Sequence, residues 1–300
     1  MHSIVLIIPY FGKWPIWINL FFDSCRRNYD IDYIFFTDCP IPENDEGSNL
    51  VFKHISFTDY CDLVSEQLGI DFHPHRPYKL CDLKPFYGII HKLEIQNYDF
   101  WGFSDIDLVF GNIRKFYTEE LLSKYKLLST HSDRISGHMT IVKNEDSITN
   151  QCFAIKNWKT LLQDDNNYAL DEFSFSFQFF PESRLPLLIH RKICIHIGWR
   201  AGDYFHKRVF QILDNIADGK GYRYKHMNIH PIWSGSDLWQ YKAQPDLAKP
   251  MVFDVGKNEE CLYCHFLPWK GNWNGDFYKV SSNFNVIEIT KDGIKDVSSN

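Results

Sequence analysis

Five consecutive apolar residues, Ile4 to Ile8, are closed by Pro9, followed by an amphipathic stretch and then by a second apolar run at Tyr33 to Phe36. This pattern constrains the fold more than anything else in the sequence. A strand that is apolar at every position is buried on both faces, the condition of parallel sheets covered by helices. Between the two runs, Trp14, Trp17, Ile18, Phe21 and Cys25 keep the 3.6-residue period and Pro15 suits a first turn, which predicts a helix from about Trp14 to Arg27. Phe52 to Phe57 alternates as a third strand, and Thr58 is the expected cap of a short helix ending at Gly69. Lys79 to Gln96 reads as helical, with Lys84-Pro85 at its start or at a kink. Phe100 to Phe103, Leu127 to Thr130 and Met139 to Val142 read as strands, and Ser147 to Leu162 as a helix. Beyond about residue 165 the periodicity weakens and the chain resists division. The expected fold is α/β: a mixed, mainly parallel, Rossmann-like sheet flanked by helices in one domain over residues 1–288, with 289–300 a frayed tail.

Charge and composition narrow the partners. A net charge of −6 over 300 residues provides no global basic field for nucleic acid or an anionic membrane. An aromatic content of 17% is heavy enough to suggest a lined pocket as well as a core. No apolar run approaches the roughly 20 residues that span a bilayer, and the opening lacks the basic segment of a signal peptide. The eight scattered cysteines are accordingly expected to be reduced thiols of a cytoplasmic protein, with peripheral association at the inner face of the cell membrane left open. Cys261 and Cys264 form a CxxC pair, but no second pair stands at zinc spacing, and no function is assigned to them.

Three segments carry candidate chemistry. The apolar strand Phe100 to Phe103 ends in Ser104-Asp105-Ile106-Asp107, acids at the carboxyl end of a buried strand, where open α/β sheets bind ligands. In an extended chain the carboxylates at i and i+2 share a face and can hold Mn²⁺ or Mg²⁺, although acidic pairs in surface turns are usually just solvated. Lys79, Asp82 and Lys84 precede them; a lysine there can hold phosphate and a carboxylate can accept sugar hydroxyls, while a salt-bridged surface helix explains the same residues. Late in the chain, His265 offers a borderline nitrogen ligand and Lys270 a cation for a leaving diphosphate. Two weaker features accompany these. Gly137 and His138 lie in a loop where glycine permits close backbone approach, with a plain β-turn as the equal alternative. Asp171 and Glu172 place two carboxylates in an aromatic setting as a general base, sugar-binding groups or a helix cap. His190, His196, Trp199 and Arg200 suit either an acceptor channel or core packing.

Together, Pro9-Tyr10-Phe11-Gly12, the Lys79/Asp82/Lys84 segment, Ser104-Asp105-Ile106-Asp107 and the late His265 with Pro268-Trp269-Lys270 resemble the GT-A fold nucleotide-sugar glycosyltransferases, especially the retaining family 8 and family 32 type and small bacterial polysaccharide glycosyltransferases. The resemblance implies a base pocket at Pro9, Tyr10, Phe11 and Asp38, and metal ligands Asp105, Asp107 and His265 for Mn²⁺ or Mg²⁺. Beside these, donor contacts are expected from Lys79, Asp82, Lys84, Ser104, Asp105, Gly137 and His138, and catalytic or sugar-binding roles from Asp171, Glu172 and Lys270. The implied partners are a nucleotide sugar, UDP-linked, and a glycan or lipid-linked glycan acceptor of cell-surface polysaccharide synthesis. The chain departs from the family 32 type in lacking Gly-Gly-Val-Tyr before the acidic motif and in its late His-Phe-Leu-Pro-Trp-Lys. A nucleotidyltransferase or sugar-nucleotide pyrophosphorylase is the alternative enzyme, although Pro9 to Lys13 is a poor Gly-rich phosphate loop. A non-catalytic carbohydrate-binding protein is the alternative outside enzymes.

Overall fold

A computed structural model describes the chain apart from residues 43–48, 132–133, 180–183, 199–200, 203–204, 206–235, 245–246, 272, 274–275, 281–283 and 299–300. The opening unit forms as its pattern dictates. Strand β1 (Ile4–Pro9), helix α1 (Ile18–Arg27) and β2 (Asp32–Thr37) make a parallel βαβ unit, and β3 (Leu50–His54) adds alongside β2. Helix α1 starts four residues later than predicted, because Pro15 to Trp17 form a turn in which Pro15 O accepts Ile18 N. Helix α2 (Phe57–Leu68) ends at Gly69 as expected, but its cap is Ser56, whose side chain accepts Asp59 N. That cap takes residues 55–57 out of the third strand.

Strand β4 (Phe100–Ser104) pairs parallel with β1 on the other side. The three-residue strands β5 (Leu108–Phe110) and β6 (Leu127–Ser129) follow, and then β7 (Met139–Lys143), antiparallel to both β4 and β6. The order β3-β2-β1-β4-β7-β6 is the mixed, mainly parallel sheet of the sequence reading. Alternate residues of β1 feed two cores. Val5 and Ile7 join α2 and the segment 80–95, while Ile4, Leu6 and Ile8 join α1 and residues 106–122. Both faces are therefore covered, and the cost of ordering the strand is offset on each side by apolar burial of about 25 cal/mol per Å².

The predicted helices Lys79 to Gln96 and Ser147 to Leu162 are both broken. Pro77–Phe86 is a 3₁₀ helix containing Pro85, which lacks the N–H an α-helix interior needs, and short turns at Tyr87–Ile90 and Lys92–Ile95 follow. Residues Asp146–Thr149, Asn150–Ala154 and Trp158–Gln163 likewise form separate turns, with Asn157 at φ 60° between the last two.

The undivided part of the sequence supplies a second sheet. Strands β8 (Leu238–Lys242), β9 (Met251–Asp254), β10 (Glu259–Cys261), β12 (Tyr278–Lys279), β13 (Val286–Thr290) and β14 (Gly293–Asp296) lie in the order β10-β9-β8-β13-β14-β12. The remaining strand, β11 (Tyr263–His265), pairs antiparallel with β5. The end of the chain, expected to fray from residue 289, is thus held in a sheet as far as Asp296, with Ile289 and Ile294 buried. Trp239, Tyr241, Val252 and Ile287 of this sheet share a core with Leu20 of α1 and Val109 of β5.

His91 ties the first sheet to the turns above it. Its ring stacks on Phe36 at 4.3 Å, its Nε2 lies 3.0 Å from the Tyr60 hydroxyl, and it is fully buried. Burial, helped by the Lys53 ammonium, pulls its pKa from 6.5 to about 3, so the ring is neutral. Glu94 is 4.0 Å from Nδ1 but is instead paired with Lys53 at 2.7 Å. An imidazole whose folded pKa lies below its unfolded one stabilises the fold above pH 6.5, and loses that contribution as pH falls toward 3. At pH 5 the loss is about 2 kcal/mol. Guanidinium titrations at pH 7 and pH 5 are expected to show a smaller drop for His91→Gln than for the wild type; equal drops would remove His91 as the cause.

Candidate functional site

The site forms where β4 ends. Ser104-Asp105-Ile106-Asp107 is not one extended strand: Asp105 to Asp107 make a bend between β4 and β5. The bend is fixed at three points. Asp105 N donates to His138 O, the Trp17 indole donates to Ile106 O, and Asp107 O accepts Phe266 N, at 3.1 Å each. The register of β5 against β11 pairs Leu108 with His265, which brings a residue 158 positions away beside Asp107. One ligand atom from each of Asp105, Asp107 and His265 then lies within 4.8 Å of the others. The donor set is two hard carboxylates and one imidazole, which suits Mn²⁺ or Mg²⁺ and not a thiolate-preferring metal.

Two lysines hold the carboxylates. Lys270 Nζ donates to Asp107 Oδ2 at 2.6 Å, and His265 Nε2 is 3.3 Å from Oδ1. Burial alone raises the Asp107 carboxyl, but His265 and Lys270 outweigh it and hold the group well below the usual range. Lys84 donates to Asp105 Oδ1 and to Gly137 O at 2.7 Å, with Asp171 Oδ2 at 3.7 Å. Burial lowers the Lys84 pKa, yet Asp105, Cys81 and Asp171 together more than reverse it, so the ammonium stays charged. Two of its protons are taken by Asp105 and Gly137. Lys84 therefore positions Asp105 and is 8% exposed, whereas Lys270 is 32% exposed at the cleft.

The cleft itself has a volume of about 570 Å³, ample for a nucleotide. Pro9, Tyr10 and Phe11 form one wall, Ser104, Asp105 and Asp107 the floor, and Lys84 and Lys270 its basic groups. Tyr10 stacks on Trp14 with ring centroids 5.1 Å apart. Gly12, at φ 103°, turns the loop back so that its N–H donates to Asp38 Oδ1 at 2.7 Å; Asp38 thus anchors the first loop from outside.

Several predicted donor contacts are placed elsewhere. Lys79 and Asp82 are fully buried and bonded to each other at 2.9 Å. Lys79 also donates to Leu161 O and Asn166 O, and Asp82 accepts Tyr168 N and Leu170 N. This pair is not a surface salt bridge and does not line the cleft; it clamps the loop that leads to Asp171. His138 lies behind His265, stacked on it at 4.4 Å, with its Nδ1 2.5 Å from the Tyr263 hydroxyl. Gly137 is tight for a different reason from the one expected: a Cβ there would come within 2.9 Å of Asp171 Oδ2 and 3.0 Å of Glu172 Oε1. Asp171 and Glu172 open a π-helical turn, Asp171–Phe175. Burial lifts the Asp171 carboxyl to about 7 against the pull of Lys84. His190 is buried and His196 exposed; Trp199 and Arg200 lie outside the described residues.

Tyr78 and Cys81 also line the cleft, as does Trp17, which the sequence marks only as part of a helix's apolar face. Tyr78 is 71% exposed, and its one sequence signal is an aromatic next to Pro77.

Fold and site together define an α/β protein with an acidic, histidine-containing cluster at the carboxyl edge of its sheet, beside a nucleotide-sized cleft. The chain belongs to a family of unknown function, DUF6625, whose model matches residues 6–297. No curated protein matches it. Among solved structures, it is similar to a glycosyltransferase involved in the glycosylation of the major capsid of PBCV-1, with 9% identity and a TM-score of 0.38 over 88% of this chain and 94% of that one. It is also similar to the glycosyltransferase GlyE of Streptococcus pneumoniae TIGR4, with 11% identity and a TM-score of 0.36 over 76% of this chain and 55% of that one. No helix among the described residues is long and apolar enough to cross a membrane.

Proposed function

We propose that this protein is a GT-A type glycosyltransferase that moves a sugar from a nucleoside diphosphate donor, UDP-linked, to a glycan or lipid-linked glycan acceptor in cell-surface polysaccharide synthesis, at the cytoplasmic side of the membrane. The observation that carries the reading is the convergence of Asp105, Asp107 and the buried His265 within 4.8 Å of one another, with the two carboxylates lining the cleft. These three residues would hold Mn²⁺ or Mg²⁺, which supplies positive charge to the diphosphate as it leaves. The protein's own groups do the rest. Tyr10, with Pro9 and Phe11, forms the wall for the base. Lys270 is the cation placed to meet the diphosphate, stabilising the charge that grows as the sugar–oxygen bond breaks. Lys84 fixes the Asp105 carboxylate in one orientation.

Asp171 is 3% exposed, does not line the cleft and lies 3.7 Å from Lys84, so it is not open to a freely diffusing acceptor. Retention of anomeric configuration is assigned on the resemblance of His265 and Lys270 to the retaining type, with Asp171 and the partly buried Glu172 kept as sugar-binding groups that donor binding would have to uncover. Purified protein incubated with a panel of nucleotide sugars, with and without Mn²⁺, is expected to release nucleoside diphosphate slowly from a UDP-sugar and only with metal; NMR of a transferred product is expected to show the donor's anomeric configuration. Release of pyrophosphate or a monophosphate would instead indicate nucleotidyl transfer, and sugar binding indifferent to chelation would indicate a lectin-like protein.

A further inference from the structure

The helix Arg184–His196 exposes an unusual face. Leu185, Leu188, Ile189, Lys192, Ile195 and His196 recur at helical spacing and are all exposed, while His190 and Cys194 on the opposite side are buried. Leu185 and Ile195 are each 67% exposed, and Ile197, just past the helix, is 73% exposed. Elsewhere among the described residues, large exposed apolar side chains such as Tyr29, Val51 and Leu93 are spread through the sequence, which is ordinary for a surface. Here they form one stripe.

The charge of the segment points to the occupant. The helix Arg184–His196 contains Arg184, Arg191 and Lys192 and no acid, a formal charge of +3; with −6 for the whole chain, the remainder carries −6 − 3 = −9. A second copy of the chain docking stripe to stripe would oppose two such basic segments. Hot spots of protein–protein interfaces are enriched in Trp, Tyr and Arg with Leu under-represented, and the apolar members of the exposed stripe are Leu and Ile with no Trp or Tyr. Aliphatic side chains flanked by Lys and Arg suit the boundary between anionic headgroups and acyl chains, where Lys192 can extend its ammonium toward phosphate while its stem stays apolar. We propose that the helix Arg184–His196 docks this protein onto an anionic bilayer surface, lying in the interface without spanning it. The acidic remainder is repelled by the same surface, so the bound molecule is oriented with this helix down. The docking would suit a lipid-linked acceptor, but does not depend on glycosyl transfer.

Flotation of the full chain with phosphatidylcholine vesicles, with and without about one-third phosphatidylglycerol, tests this. The wild type is expected to float with the anionic vesicles and not with the neutral ones, and to be released by 0.5 M salt, roughly a 4 Å screening length. Leu188→Ser/Ile195→Ser and, separately, Lys192→Glu are expected to lower binding at least about tenfold with unchanged circular dichroism and melting temperature, since each site is exposed. Failure of the wild type to float, or flotation unaffected in both variants, overturns the proposal. So does a wild-type dimer in light scattering that the serine pair makes monomeric, which would assign the face to a second copy.

Discussion

Asp107→Ala is expected to lower metal-dependent nucleotide release by about 10²–10³-fold or more while leaving the protein folded. The side chain is the hinge of the cluster: one oxygen faces His265 at 3.3 Å and the other accepts Lys270 at 2.6 Å. Its loss removes one of the three proposed metal ligands and also frees the lysine proposed to meet the diphosphate. The fold survives because Lys270 is partly exposed and can hydrate, and because the bend is fixed by backbone bonds at Asp105 and Asp107 and by the Trp17 indole. Ligand-linked melting separates loss of the site from loss of the fold. With UDP and Mn²⁺ at a hundredfold excess over Kd, wild-type protein gains about 2.7 kcal/mol by mass action, and the variant gains close to none. Asp107→Asn can keep an acceptor for Lys270 but offers the metal a neutral ligand, so it is expected to fail in catalysis with a still smaller change in stability. If Asp107→Ala kept both its melting shift and its activity, the metal centre would lie elsewhere.

How much of this could be read in advance depends on whether the cause is local. The strands β1, β2 and β4 are legible because burial on both faces writes itself as unbroken apolar runs. The acidic motif is legible because it ends such a run. By contrast, His265 reaches Asp107 through three-residue strands, β5 and β11, too short to leave a periodic signal; a family resemblance pointed to it where spacing did not. Helix periodicity over 79–96 misled because the same apolar spacing is satisfied by a 3₁₀ segment and turns once Pro85 excludes an α-helix. At the end of the chain, the polar composition of Lys291-Asp292-Gly293 suggests fraying, yet it is the turn of a hairpin: Gly293 sits at φ 142°, and Ile287, Ile289 and Ile294 keep a buried face. There the alternation was present and composition outweighed it. Trp239 and Tyr241 in β8 show the same period, hidden among other aromatics.

Lys79 and Asp82 were the least legible residues of all, because what surrounds them is backbone from 80 or more positions away, and they carry the largest expected effect on stability. A lysine and an aspartate at i and i+3 usually mark a solvated helix face. Here the ammonium is 1% exposed, held by Asp82 and by the carbonyls of Leu161 and Asn166, and the carboxylate receives the amides of Tyr168 and Leu170. Removing one member of a fully buried pair leaves the other charge stranded, at a cost of about 3–5 kcal/mol. Lys79→Met strands a carboxylate that still has two amide donors, whereas Asp82→Ala strands the lysine's third proton and both amides. Asp82→Ala is therefore expected to be the more damaging, with loosening of residues 161–170 and, through them, of the Asp171 turn. Because neither residue faces the cleft, UDP affinity measured by calorimetry on the folded fraction is expected to be unchanged in Lys79→Met. Guanidinium midpoints supply the other axis. A Lys79→Met protein as stable as the wild type but weakened toward UDP would return Lys79 to the phosphate contact its sequence context suggested, and would mean that the clamp opens when donor binds.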